Sequence, residues 1–152
     1  MKRSVLFEQT LFVVLPSIKT DAGQKKLLLL ARWAPLFVQA SVRIAVLCPD
    51  SDLILAQESL FLHLPFLMIS DPDQTCADLL GCMQTRIVFG KEQRVCVCSL
   101  ILCSDPDGFP DLILRHVLPE SLYKVFAKAQ KNRQKSLNAR ARALVDNPYR
   151  YC

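Results

Sequence analysis

Val95-Cys96-Val97-Cys98-Ser99-Leu100-Ile101-Leu102 is an uncharged run in the second half of the 152-residue chain. Its odd and even positions are both largely apolar, which is typical of a central β-strand covered on both faces of a sheet. The run 36–47 alternates apolar and polar residues with a period of two, which favours a half-buried strand. Further strand predictions are 11–15, 53–57, 60–69, 84–89 and 111–117. The sequence therefore predicts a body built mainly from strands.

Helical patterns are fewer. Cys76–Met83 predicts a short helix, and Lys26–Arg32 fits a strand or a helix equally well. From Pro119 helix-forming residues continue to about Val145, with Pro119 and Glu120 well placed for a helix start. The predicted fold class is α+β, predominantly β: a single antiparallel sheet or sandwich with a short helix and a basic C-terminal helix. Residues 1–118 form the β-rich body, 119–146 the helix and 147–152 a tail, making one domain overall.

Positive charge is concentrated at the C-terminal end of the chain. The net charge is +5, yet from Leu118 onward eight basic residues face two acidic ones, so the first 117 residues have a net charge of −1. At 100° per residue, one face of the predicted helix carries five cations: Lys124, Lys128, Lys131, Lys135 and Arg142. Arg133 and Arg140 project from the apolar side. Either the helix breaks near 132–136, or these arginines meet a partner.

Recognisable catalytic chemistry is missing from the sequence. There is no nucleophile elbow, zinc-protease motif, phosphate-binding loop or dinucleotide fingerprint, so no enzymatic activity and no small-molecule substrate are predicted. Cys96 and Cys98, with Cys103 and His116, could be imagined as zinc ligands, but their spacing matches no standard zinc finger. The seven cysteines are interpreted as small buried side chains in a reducing compartment. Neither a metal nor another cofactor is expected.

The apolar stretches do not predict membrane insertion. Each is interrupted by charged or polar residues, such as Arg32 and Arg43 in 27–48, before it reaches the length of a spanning helix. The basic start of the chain lacks a following small-residue cleavage site, so secretion is not predicted.

Leu60-Phe61-Leu62-His63-Leu64-Pro65-Phe66-Leu67-Met68-Ile69 resembles a segment of the small matrix proteins of bornaviruses and related negative-strand RNA viruses. The chain size, the order of apolar strands and the basic C-terminal part are similar too. The resemblance implies a β-rich domain that assembles beneath the viral envelope and contacts lipid and RNA. It implies a location at the cytoplasmic face of host membranes and the inner surface of the virion.

Two functions follow as hypotheses. The first is a viral matrix-type protein that self-assembles and bridges an anionic membrane to RNA or nucleoprotein through the basic helix. The alternative is a small RNA-binding accessory protein, of the silencing-suppressor or interferon-antagonist type; an adaptor without an anionic ligand is a third possibility. For the homo-oligomer interface, the strand 60–69 is the candidate edge because Pro65 limits its pairing. Its interface residues are Leu60, Leu62, Leu64 and Phe66.

Overall fold

The computed structural model of the chain describes residues 8–15, 17–104, 110–115 and 119–146. Its strands are β1 (Gln9–Val14), β2 (Val42–Cys48), β3 (Leu67–Ser70), β4 (Met83–Val88), β5 (Lys91–Cys96), β6 (Ser99–Ser104) and β7 (Pro110–Arg115). Its helices are α1 (Asp21–Gln39), α2 (Asp52–Leu62), α3 (Thr75–Leu79) and α4 (Pro119–Asp146). Since α1 and α2 lie between the first three strands, the body is less β-rich than the sequence predicted.

The main sheet has five strands in the order β3-β2-β1-β6-β7. β1 pairs in parallel with β2, and β2 with β3, whereas β6 pairs antiparallel with both β1 and β7. The predicted single antiparallel sheet or sandwich is therefore wrong, because the sheet is mixed. Parallel neighbours need a long crossover connection, and α1 and α2 supply the two crossovers.

The prediction of a strand over 36–47 is wrong in its first part. The first residues of this run end α1, and only its last part belongs to β2. The buried side chains of α1 include Leu27, Leu30, Ala34 and Phe37, which recur at the three- and four-residue spacing of a helix face turned to the core. Pro35 lies inside α1. It removes one backbone donor, but the buried face on both sides of it keeps the helix in place.

The strand predictions at 53–57 and in the first part of 60–69 are wrong, because these residues form α2. The Ser51 hydroxyl accepts a hydrogen bond from the Ile54 N–H at 3.4 Å, and His63, with a φ of 52°, ends the helix. Leu53 and Leu60 are 68% and 78% exposed, whereas Leu55 is 3% exposed. Because apolar residues lie on all sides of α2, its sequence lacks the one-sided pattern that identifies a surface helix.

The two faces of the sheet are covered by different elements. On one face, buried side chains from α1, α2 and α4 join those of β1, β2 and β6 in the larger core cluster. On the other face, Ala77 of α3 and Cys82 pack with Val14, Leu47 and Ile101. β4 and β5 form a separate two-stranded hairpin. In the part of the chain that the structure describes, every helix is too short or too polar to cross a bilayer.

Candidate functional site

Several thiols collect where the parallel strands end. β1, β2 and β3 share one carboxyl edge, and β6 begins there because Val14 of β1 pairs with Ser99. In open α/β sheets this edge is where ligands bind. Four free cysteines lie at or beside it: Cys48, Cys82, Cys96 and Cys98. We call these four the thiol cluster.

Cys98 is held in place by the backbone around it. The Val97 N–H donates to the Cys82 carbonyl at 2.7 Å, and the Ser99 hydroxyl donates to the Val97 carbonyl at 2.9 Å. These bonds fix the short connection between β5 and β6. The backbone position of Cys98 at the edge of the sheet is therefore fixed. Only 8% of the surface of Cys98 is exposed.

The partner of Cys98 comes from α1. The Lys26 Nζ atom donates to the Cys98 Sγ atom at 3.0 Å, although the two residues are 72 positions apart in the chain. Lys26 is half-buried, so its charge is only partly screened by water. The contact brings a proton-donating nitrogen directly against the sulfur.

Two other members of the thiol cluster are held in the protonated form. Burial, and then the Coulombic interactions with Cys82, Cys98 and Asp71, raise the pKa of Cys96 to about 11. Burial, and then the negative charge of Asp50, raise the pKa of Cys48 to about 12. Because thiols react through the thiolate, Cys48 and Cys96 are poor nucleophiles at neutral pH.

The loop between β1 and α1 closes one side of this edge. Asp50, 6% exposed, accepts from the Ser17 hydroxyl at 3.0 Å and from the Ile18 N–H at 2.9 Å. The Thr20 hydroxyl accepts from the Gly23 N–H at 3.0 Å and caps α1. A helix N-terminus also stabilises thiolates. The first turn of α1 contains no cysteine, so the N-terminus of α1 does not stabilise a thiolate within that turn.

The basic residues predicted on α4 lie elsewhere. Of the five cations of the predicted stripe, Lys128 is half-buried, and the exposed members are Lys124, Lys131, Lys135 and Arg142. Arg133 donates to the Gln39 carbonyl, and Arg140 pairs with Glu8 at 2.6 Å. These two arginines thus contact the body of this chain, and α4 continues through 132–136 as one helix.

The interface residues predicted on an edge strand do not share a strand. Leu60 and Leu62 belong to α2, whereas Leu64 and Phe66 lie in the segment before β3. Leu62, Leu64 and Phe66 are partly buried against the larger core cluster. Association of copies through these residues stays a prediction.

Sequence reasoning missed Lys26 and assigned Cys98 only a packing role. The signal in the sequence was the pair Cys96 and Cys98, but nothing near them indicates a lysine from the first helix. The zinc ligands considered with them do not converge, since Cys98 and Cys103 lie at opposite ends of β6 and His116 lies outside the described residues. Among the residues described, no three His, Cys, Asp or Glu side chains are grouped to hold a metal ion.

Comparison with known proteins gives similarity in structure only. No protein-family model and no curated protein sequence matches the chain. The bacterioferritin comigratory protein of Xanthomonas campestris, described with an alkyl peroxide reduction activity, superposes with a TM-score of 0.76 at 20% identity, over 83% of this chain and 80% of that chain. A cysteine-to-serine mutant of Xylella fastidiosa PrxQ gives 0.72 at 16% identity, over 82% and 77%. A peroxidoxin of Mycobacterium tuberculosis gives 0.67 at 13% identity, over 84% and 82%.

These similarities correct the functional hypotheses drawn from the sequence. The resemblance to viral matrix proteins is wrong, since the segment that carried it forms a helix end, a loop and a short strand of a different fold. The matrix and RNA-binding hypotheses are wrong for the same reason. The membrane and RNA partners and the virion location were inferred from those hypotheses and are withdrawn with them. The exclusion of enzymatic activity and of a small-molecule substrate is wrong as well, because the structures that share this architecture include a peroxide-reducing enzyme. The chain has the thioredoxin-like fold of the peroxiredoxins.

Proposed function

We propose that the protein reduces hydroperoxides through a cysteine thiolate and that the reacting thiol is Cys98. The fold supports this class of reaction, since one structure with the same architecture is described with alkyl peroxide reduction and others are cysteine-to-serine mutants. The observation that carries the assignment to Cys98 is the hydrogen bond from the Lys26 ammonium to its sulfur at 3.0 Å.

The other described thiols fit the role less well. Cys48 and Cys96 have raised pKa values, and Cys103 lies at the opposite end of β6 from the edge where the strands converge. Cys76 is exposed in the short helix α3, and the buried Cys82 thiol donates to the Leu80 carbonyl at 3.7 Å. Cys98 differs from these thiols in having the Lys26 nitrogen 3.0 Å from its sulfur, where the ammonium can give a proton to the leaving alkoxide.

The reaction has two steps. The Cys98 thiolate attacks one oxygen of the hydroperoxide, so that an S–O bond forms while the O–O bond breaks, and the departing alkoxide takes a proton from Lys26. This leaves a sulfenic acid on Cys98 and an alcohol as product. Two equivalents of an external thiol then return the sulfenic acid to the thiol, giving a disulfide of the reductant and one water.

Steady-state consumption of cumene hydroperoxide with dithiothreitol as reductant tests this proposal. We expect Cys98→Ser to lower the rate by at least about a hundredfold, since it removes the nucleophile. Cys76→Ser is the matched control, because it removes an exposed thiol, and we expect a rate within about twofold of wild type.

Two results would overturn the proposal. In the first, the wild-type protein consumes the peroxide no faster than free cysteine at the same thiol concentration. In the second, Cys98→Ser retains the wild-type rate. Circular dichroism of each variant verifies that a lost rate does not come from unfolding.

A further inference from the structure

The contact between Lys26 and Cys98 places an amine directly against the sulfur that the proposed function oxidises. We propose that the Cys98 sulfenic acid is captured by the Lys26 amine, which forms a covalent sulfenamide between α1 and the start of β6. This inference rests on the proposed function, because a hydroperoxide must first oxidise Cys98. It assigns to the pair a reversible modification site in addition to the reaction with peroxide.

The bond changes are balanced. In the peroxide step the Lys26 ammonium gives its proton to the departing alkoxide, which leaves a neutral amine beside an electrophilic sulfur. The amine lone pair then attacks the sulfur, an S–N bond forms, and the S–O bond breaks. The hydroxide leaves with a proton from the nitrogen as water. Overall, the hydroperoxide is reduced to an alcohol and water, and the protein loses two hydrogens.

The geometry favours the amine over the neighbouring thiols. The nitrogen and the sulfur are already 3.0 Å apart, so bond formation needs only a small approach. The Cys82 sulfur contacts the Leu80 carbonyl at 3.7 Å, which directs that thiol into its own turn. Cys96 is separated from Cys98 by one residue, a spacing that in extended backbone lies near the upper limit of the Cα separation a disulfide accepts.

The cross-link would protect the site. A sulfenamide has no S–OH group left for a second peroxide to oxidise, so the sulfur is kept from the irreversible sulfinic and sulfonic acids. An external thiol reopens the S–N bond by attack on the sulfur, which releases the lysine amine and gives a mixed disulfide. A second thiol then restores Cys98.

Mass spectrometry of the full-length protein tests the cross-link. The reduced protein is treated with one equivalent of hydrogen peroxide without reductant, in the presence and absence of dimedone, a trap for sulfenic acids. Without dimedone we expect a product about 2 Da lighter than the reduced protein, and chymotryptic digestion should give one peptide pair joined through Lys26 and Cys98. Dithiothreitol should reverse both signals.

Variants separate the cross-link from the peroxide reaction. Lys26→Arg keeps the positive charge but offers no nitrogen that can be deprotonated, so the departing alkoxide must take its proton from water and oxidation of Cys98 should be slower. Once Cys98 is oxidised, the joined peptides should be absent and dimedone should label a larger share of the oxidised Cys98 than in wild type. Lys25→Arg is the matched control: this exposed neighbour does not contact the sulfur, and the cross-link should form as in wild type.

Each remaining outcome has a definite meaning. If dimedone labels Cys98 equally in wild type and Lys26→Arg and no joined peptides form, the cross-link is excluded and the proposed function stands. If Cys98 is recovered in a disulfide with Cys82 or Cys96, the cross-link is also excluded. If dimedone labels Cys98 in neither protein and no joined peptides form, the proposed function fails and the cross-link fails with it.

Discussion

Gly23 lies in the first turn of α1, where the loop from β1 passes against the helix. A Cβ atom built at this position would be 2.0 Å from the Ser17 carbonyl oxygen and 3.1 Å from the Ile18 Cα atom. Both are backbone atoms that cannot move aside as a side chain would. The close approach lets Ser17 and Ile18 reach Asp50 at the end of β2, so a residue without a side chain sets the shape of this loop.

We expect Gly23→Ala to destabilise the protein by about 2 kcal/mol. Alanine gains up to about 1 kcal/mol of helix propensity over glycine, but the loop must shift, and the cost of overpacking against backbone exceeds that gain. Urea unfolding measures the difference, with Ala22→Ser at the exposed neighbouring position as the control, for which we expect a change within about 0.5 kcal/mol. A Gly23→Ala protein as stable as wild type would contradict the steric argument.

α4 is an element whose two halves have different surroundings. Leu122, Val125 and Ala129 are completely buried, whereas Leu137 and Leu144 are 42% and 37% exposed. In the first half, the Gln9 side-chain amide donates to the Ala129 carbonyl at 3.0 Å. The first half therefore belongs to the core, and the second half contributes little apolar burial.

Two truncations to alanine test this difference along α4. We expect Val125→Ala to lower the free energy of unfolding by about 2 kcal/mol, because it leaves a cavity in the core. Leu144→Ala removes a larger side chain, yet we expect a change within about 0.5 kcal/mol, because much of that side chain already contacts water. Chemical denaturation of both variants gives the comparison. Equal losses at the two positions would show that the second half of α4 also packs against protein.

For the molecule as a whole, burial of thiols couples stability to pH. Burial is the main cause that raises the pKa of Cys48 from its ordinary value of 9.0 to about 12 in the folded protein. A pKa raised on folding contributes stability that is complete below the unfolded value and is lost as the pH rises towards the folded value. The window for Cys48 therefore runs from pH 9.0 to about 12.

We expect the free energy of unfolding to fall more steeply above pH 9.0 in wild type than in Cys48→Ala. Between about pH 8 and about pH 10.5 the wild-type loss should exceed that of the variant by about 2 kcal/mol, since only wild type gains a thiolate on unfolding. Cys76→Ala, at an exposed position, is the control and should follow the wild-type curve. Parallel curves for wild type and Cys48→Ala would contradict this account.

The sequence by itself determined the elements whose signals are local. The apolar run at 95–102 indicated a single strand covered on both faces, but the structure divides it between the end of β5 and β6 (Ser99–Ser104). β6 alone has the predicted burial. The strands at 11–15 and 84–89 were also predicted, and α4 occupies the run of helix-forming residues that follows Pro119. The spacing of apolar residues, the turn residues and the helix caps each depend on a few neighbouring positions in the chain. They can therefore be interpreted without knowledge of the fold.

Only the tertiary structure decided the helices between the parallel strands and the candidate site. α2 is apolar on several sides and α1 contains Pro35, so their sequences alone resemble strands or broken segments; burial against the sheet makes them helices. Lys26 and Cys98 are 72 positions apart, and their contact exists because β6 pairs antiparallel with β1 at the edge where α1 begins. Contacts between residues so far apart in the chain are determined by how the whole chain packs. A local sequence pattern does not predict them.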